Sequence, residues 1–448
     1  MQRVHWSSRL GFVLATSGSA VGLGNIWKFP YIVGENGGGA FVLVYLLCIL
    51  LVAVPVFMAE LLLGRRQQRN PITALQQIIR QQNLHDAWQT IGWMGLICSF
   101  LLLSFYSVIA GWSLAYIVKM AKGTLSHLDP AAIGQHFSDF VHNPLHLLFW
   151  HSIFMFLTVA VVVRGVRQGL ERISCILMPG LMLILLILVI NGMVQGNFIQ
   201  AVHFMFDVRL DKLSAESLIQ ALGHAFFSLS VGMTVIMAYG SYLPKHISIP
   251  KVTFSIALLD TLIAMLAGLA VFSLVFAYQL DVDSGPGLVF ITLPIAFNQM
   301  PLGNIIGLLF FILLFFAALT SAISLMEPVI SWITERYAIK RTNAGIMMGS
   351  ITWFIGIGTV LSFNLWEQQR LFGRWNFFTL LDFLTANLLL PLGGLLLALF
   401  TGWVLHKKQV RQALQMDGIG FLFYYQSLRF ICPLGILAFF LYALYQSG

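Results

Sequence analysis

Residues 17–30 read SGSAVGLGNIWKFP, and they lie inside the first long apolar stretch of the chain. Four of the first six are glycine or serine, and a lysine and a proline close the run. A helix in lipid must satisfy its own backbone, because hydrocarbon offers no hydrogen-bond partner. Glycines alone are also what close helix packing uses. Asn25, Lys28 and Pro30 directly behind them tip the reading toward a helix that breaks at mid-membrane to form a site.

The rest of the chain agrees with a membrane setting. Of 448 residues, 58% are hydrophobic and only 9% charged, with a mean hydropathy of +0.86; soluble domains carry roughly a quarter charged residues. Apolar stretches long enough to cross a bilayer, about 20 residues each, recur from end to end, which excludes a β-barrel of short alternating strands. Eleven spans are expected, near 9–33, 39–63, 90–118, 147–163, 173–194, 216–243, 252–278, 303–333, 343–363, 377–405 and 420–446. The N-terminus shows no short apolar core or cleavage site, so the first span is expected to remain in the mature protein. The four cysteines (Cys48, Cys98, Cys175, Cys432) all fall in apolar segments without a CxxC pair, which predicts neither a disulfide framework nor a metal site.

The net charge of +8 is a topology signal rather than a nucleic-acid footprint. With the N-terminus in the cytoplasm, seventeen basic residues fall inside, among them Arg65, Arg66, Arg164, Arg167, Lys340 and Arg341. Six fall outside, and Lys28 and Arg429 lie within spans. The positive-inside rule is obeyed, and an odd number of spans puts the C-terminus outside. No nucleic-acid partner is expected, and no residue pattern assigns an oligomeric state.

A second irregular stretch, FFSLSVGMT (226–234), interrupts the sixth span. Paired interruptions at matching places point to a transporter of two inverted five-helix repeats with its site at mid-membrane. The expected division is 1–195 for spans 1–5, 196–405 for spans 6–10, and 406–448 for an eleventh helix. Freed carbonyls at such breaks suit a cation, and half-helix N-termini suit an anion.

Three acids lie within spans. Asp260, in FSIALLDTLIAML, sits where a bare carboxylate costs at least ~2.5–3.5 kcal/mol, so a proton, a basic residue or a bound cation must neutralise it. Glu60 and Glu327 read as partners for freed backbone groups. In FFAALTSAISLMEP, Ala317, Thr320, Ser321 and Ser324 follow i, i+3, i+4, i+7 and form one small, oxygen-bearing stripe. Opposite a broken helix that stripe suits a hard cation; without a His/Cys cluster beside it, sodium fits better than zinc or copper.

These elements resemble the neurotransmitter:sodium symporter family, in particular its bacterial eleven-span amino-acid transporters. The likeness covers almost the whole chain and is densest in RVHWSSRLGFVLATSGSAVGLGNIWKFPY, RGVRQGLERI, GHAFFSLSVGM, FFAALTSAISLMEP and LLDFLTANLLLPLGG. It implies an all-α membrane protein with discontinuous helices 1 and 6, in the inner membrane of a bacterium. It implies two sodium sites: one from the Ala20 carbonyl, Asn25, Ser228 and Asp260, completed by the substrate carboxylate, and one from carbonyls of Gly18, Val21 and Ala317 with the hydroxyls of Thr320 and Ser321.

By the same resemblance the substrate carboxylate meets Tyr106 and the amides near Leu23 and Gly24. Its ammonium meets oxygens around Ala20, Phe227, Ser228 and Ser321. Ser19, Leu102, Phe227, Ser230, Met233 and Leu325 line its side chain, which implies a neutral hydrophobic amino acid. The outer gate would be Tyr106 and Phe227 beneath a Lys28–Asp382 ion pair. The inner gate would be an Arg3–Glu335 latch with Trp6, Ser241 and Tyr242. Gly169 and Pro179 match a G-x9-P motif associated with unwinding of span 5.

Departures from the family pattern carry information. Lys28 replaces the usual arginine, and Glu335 a common aspartate. Of the groups that bind chloride in animal members, Tyr45 and Ser228 remain, but His224 replaces a glutamine and Ala264 a serine or, in some bacterial members, a glutamate. Asp260 replaces the usual asparagine and brings a fixed negative charge, so transport is expected to be chloride-independent. His224 near Asp260 leaves open both proton return on the empty carrier and a plain core histidine. The function implied is sodium-coupled import by alternating access; a non-transporting amino-acid sensor on the same fold is the alternative. No protease or hydrolase pattern suggests an enzyme.

Overall fold

A computed structural model describes residues 4–280 and 287–447. The regular structure of the described residues is helical, joined by turns and loops, with one isolated bridge between Leu371 and Trp375 in a loop. Among the described residues, nine helices are long and apolar enough to cross a bilayer: Gly39–Gln67, Asp86–Ala121, Pro144–Val162, Val166–Gln195, Ile249–Ala277, Gly303–Tyr337, Arg341–Ser362, Phe377–Val404 and Gly418–Tyr442. A tenth span is a pair, Arg9–Ala20 and Gly24–Glu35, bent by 55° at its break. The remaining segment, Ala215–Ser228 followed by Val235–Gly240, has two halves too short to cross alone. In chain order these are spans 1 to 11, with the bent pair as span 1 and the short halves as span 6.

Span 1 is broken where the glycine-serine run predicts. Ser8 caps its first half by accepting from the Gly11 amide at 2.9 Å. The helix ends when the Val21 N–H bonds Ser17 O at 2.7 Å and Val21 turns extended. It resumes at Gly24 in wide turns, where the Phe29 amide reaches back five residues to the Gly24 carbonyl. Pro30 follows, and the same order recurs: wide turns at Ile49–Ala53, Leu288–Thr292, Phe383–Leu389 and Ser427–Ile431 precede Pro55, Pro294, Pro391 and Pro433. A proline lacks the N–H of the normal helical ladder and crowds the preceding turn, so the backbone widens there rather than stopping.

Span 6 breaks over Leu229–Thr234, where Ser230, Gly232 and Thr234 take φ of 53°, 90° and 58°. Gly232 is required twice over: its φ is left-handed, and a Cβ there would stand 2.4 Å from the Leu390 carbonyl. Glu60 on span 2 caps the break, accepting from the Gly232 amide at 2.5 Å and the Met237 amide at 3.3 Å. Span 1 packs against spans 5, 7 and 8, while span 6 lies on span 2 and span 8 runs along span 3. The two breaks therefore meet in the interior, away from lipid.

Helix bounds differ from expectation mainly at the ends. Span 3 starts in a short turn at Asp86, span 4 starts at Pro144, and span 8 runs on to Tyr337. Span 5 is continuous through Pro179, and its first turns, Val166–Glu171, are wide around Gly169. Shorter helices at Pro71–Gln81, Pro130–His142, Phe198–Phe206 and Lys407–Leu414 lie between spans.

Candidate functional site

At the break in span 1, the Asn25 amide donates to Asp260 Oδ1 at 2.8 Å, while its Oδ1 accepts from the Gly22 amide at 3.3 Å. Ser228, the last residue of the first half of span 6, donates to the other Asp260 oxygen. Ser228 in turn accepts from Asn25 and from the Tyr45 hydroxyl, each at 3.2 Å. All four residues are buried. Asn25, Ser228 and Asp260, expected around one ion, thus form a single oxygen-rich cluster. No lysine or arginine pairs with Asp260 among the described residues.

The second cluster lies across the same break. Ser321 on span 8 points its hydroxyl at three span 1 carbonyls, Gly18 at 3.4 Å, Ser19 at 3.3 Å and Val21 at 3.2 Å. One hydroxyl proton cannot serve three acceptors, so carbonyl oxygens remain with free lone pairs. Thr320 donates to Ala317 O at 3.0 Å, and its Cβ would be 3.1 Å from a Cβ on Gly18. Gly18, Val21, Ala317, Thr320 and Ser321 are therefore brought together.

Between the clusters lie the residues expected around a substrate. The Leu23 amide donates to the Tyr106 hydroxyl at a long 3.4 Å. A Cβ on Gly22 would stand 2.7 Å from Ser321 Oγ and 3.1 Å from the Tyr106 hydroxyl, so Gly22 makes room for both. On the other side Ser19 donates to Ser324 Oγ at 2.8 Å, and Ser230 to Ser19 O at 3.1 Å. Those hydroxyls are spoken for within the protein, which leaves Leu102, Met233 and Leu325, all buried, as the apolar wall. Phe227 lies over Gly24, where a Cβ would come within 2.9 Å of its ring.

Outside this centre, a cavity of about 240 Å³ opens between Lys28, Glu35, Gln220, His224, Phe227 and Asn387. The Lys28 ammonium sits over the Phe227 ring at 5.1 Å and forms no ion pair with Asp382. The outer pair expected from sequence is thus apart here, because Lys28 is drawn to an aromatic face instead. His224 is stacked against Phe29 and Tyr45, with centroids 5.7 and 5.3 Å away, and both ring nitrogens are buried without a hydrogen-bond partner. Tyr45 touches both the His224 ring and, through its hydroxyl, Ser228 of the Asp260 cluster.

The opposite end is shut. Trp6 is buried, its indole donating to Tyr239 O at 3.1 Å and its amide to Tyr242 O at 3.2 Å. The Ser7 amide and hydroxyl both bond Glu171 on span 5. The Tyr242 hydroxyl donates to Glu327 at 2.6 Å, and Arg341 holds the same carboxylate through two nitrogens. Ser241 bonds Ala238 O at 2.5 Å. Glu335 accepts from the Asn70 side chain at 2.8 Å, and Arg3 lies outside the described residues.

Two of these features differ from the sequence reading or escape it. Glu60 does serve freed amides, but Glu327 pairs with Arg341 and Tyr242 side chains rather than backbone. The Ser7–Glu171 clamp was not anticipated; the only signal was a buried glutamate in the RGVRQGLERI segment.

The model of the family described as "Sodium:neurotransmitter symporter family" matches residues 3–131 and 135–447. The chain is 40% identical over 442 residues to the "Uncharacterized sodium-dependent transporter YhdH" of Bacillus subtilis, covering 98% of this chain and 97% of that one. It is 32% identical over 448 residues to an "Uncharacterized sodium-dependent transporter" of Haemophilus influenzae, covering 98% of each. Among solved structures it is similar to MhsT in complex with L-phenylalanine, with a TM-score of 0.91 and 40% identity over 99% of this chain and 100% of that one. Two broken spans meeting at buried oxygen clusters, on a chain matched end to end, place it as a sodium-coupled membrane transporter and not an enzyme: it belongs to the sodium:neurotransmitter symporter family.

Proposed function

We propose that this transporter imports a neutral hydrophobic amino acid together with sodium, by alternating access and without chloride. The observation that carries the reading is the meeting of the two breaks: Asn25, Ser228 and Asp260 on one side, and Ser321 against three span 1 carbonyls on the other. A zwitterion between them finds complementary groups on both ends.

The Leu23–Tyr106 bond is long, and a substrate carboxylate can replace it, accepting from both groups. That carboxylate then completes the first sodium site with Ala20, Asn25, Ser228 and Asp260. Ion and substrate hold each other, so each raises the other's affinity. The second ion is held by Gly18, Val21, Ala317, Thr320 and Ser321, which tie span 1 to span 8. The wall of Leu102, Met233 and Leu325 offers no charge to a side chain, and the phenylalanine carried by MhsT in its complex supports an apolar cargo. Asp260 supplies the negative charge that makes chloride unnecessary.

For the architecture we infer two inverted repeats, 1–195 and 196–405, with 406–448 as an added helix. The protein lies in a bacterial inner membrane, its N-terminus cytoplasmic and its C-terminus outside. The closed Trp6 end is then the cytoplasmic gate, and the cavity at Lys28 the outer vestibule.

The test is uptake into proteoliposomes from a panel of amino acids, with sodium or potassium outside and chloride or gluconate as anion. Accumulation of leucine, phenylalanine or similar residues only in sodium, unaltered by gluconate, is expected. Accumulation in potassium removes the sodium assignment, and collapse in gluconate removes the chloride assignment. Saturable binding without accumulation marks the sensor instead.

A further inference from the structure

We propose that a groove at the outer ends of spans 3 and 4 binds the headgroup of an anionic phospholipid. The groove measures about 580 Å³ and is bounded by span 3, the helix Pro130–His142 and the start of span 4. Its polar end carries Lys119, Lys122, His136 and His146, against one acid, Asp139. Asp139 is already engaged, accepting from Gln135 at 2.7 Å. Neither lysine forms an ion pair among the described residues.

Lys119 is held in place by aromatic faces, its ammonium 4.8 Å from the Tyr116 centroid and 4.3 Å from that of Phe140. His136 keeps its Nε2 buried and without a hydrogen-bond partner. Burial first, and then the charge on Lys119, hold the His136 imidazole below its ordinary pKa. The polar end is thus a recess whose positive charge comes from two lysines, with an unsatisfied imidazole nitrogen beside them.

The other end of the groove is apolar and turned to the bilayer. Phe149 is 57% exposed and Val118 36%. Phe149 lies five residues into span 4, roughly 8 Å below its first turn, so the groove descends from headgroup depth to acyl-chain depth. A soluble phosphate would use only the cationic half. A phospholipid with a negative headgroup uses both, with the lysines at the phosphate and Phe149 along the chain.

The test is native mass spectrometry of the detergent-solubilised transporter with added dioleoylphosphatidylglycerol, dioleoylphosphatidylcholine or inorganic phosphate. Wild type should retain the phosphatidylglycerol adduct over phosphatidylcholine. Retention should fall about five-fold for each of Lys119→Gln and Lys122→Gln, and Phe149→Ala should weaken it too. Lys122 is exposed, so K122Q keeps the experiment decisive should K119Q, which loses a side chain packed on two aromatic rings, fail to fold. Equal retention of the two lipids, or no change in K122Q, overturns the proposal. Displacement of the lipid by inorganic phosphate at equal concentration overturns it in favour of a soluble anion.

Discussion

The Asp260 carboxylate and the Asn25 side-chain amide meet at 2.8 Å in the protein interior, one on a continuous helix and the other just past a break. The pair joins span 7 to the second half of span 1, and Ser228 brings span 6 into the same cluster. An ion entering this cluster would therefore draw three elements together at once. That is how cation binding can bias a conformational equilibrium, through differential contacts in two states.

Asp260→Asn keeps the shape and removes the charge. The concentration of sodium giving half-maximal uptake should rise tenfold or more, since bonds to a charged group are worth about 1.5–3 kcal/mol. Chloride should stimulate the variant while leaving wild type unchanged. Uptake by D260N with unchanged sodium dependence would show that the carboxylate is no part of an ion site.

Ser321→Ala tests the second cluster separately. The hydroxyl faces carbonyls of Gly18, Ser19 and Val21, so its loss should weaken sodium binding about tenfold on the same bond scale, with substrate selectivity kept. Gly22→Ala acts on the same place by volume, since its Cβ would meet Ser321 Oγ at 2.7 Å. Sodium titrations by isothermal calorimetry, with and without substrate, separate the two effects. Equal sodium affinity in S321A and wild type assigns the ion elsewhere.

Glu60 holds the unwound part of span 6 through the Gly232 and Met237 amides. Glu60→Gln keeps an acceptor but loses the charge, and should cost about 1.5–3 kcal/mol. The shift is read as a lower midpoint of thermal denaturation in detergent. A variant as stable as wild type would mean that the break stands without this cap.

Much of this organisation is legible in the sequence, for a physical reason. Breaks inside lipid need small residues and backbone partners, so SGSAVGLGN and FFSLSVGMT stand out against apolar helix, and Asp260 stands out by its cost. Contacts that depend on tertiary angles leave no such trace. Arg341 meets Glu327 only because the chain reverses at Ala338, where φ is 53°. Lys28 rests on Phe227 rather than Asp382, and nothing in the sequence tells which of the two its flexible side chain will meet. The loop helices Pro130–His142 and Phe198–Phe206 are too short and too mixed to register as spans.

The Arg341–Glu327–Tyr242 network closes the end that Trp6 fills, so weakening it should open that end. Removing Arg341 strands a buried carboxylate, a change of about 3–5 kcal/mol against the closed form. The backbone amides of Trp6 and Ser7 report it directly, because their partners are Tyr242 O and Glu171. In Arg341→Met, hydrogen exchange across the N-terminal peptide should accelerate at least tenfold, while exchange in span 3 stays as in wild type. Tyr242→Phe, which loses the 2.6 Å bond to Glu327 but leaves that carboxylate paired with Arg341, should accelerate it less. If exchange at Trp6 and Ser7 is the same in all three proteins, the network braces span 8 against span 9, and the gate is held by Trp6 and Glu171 instead.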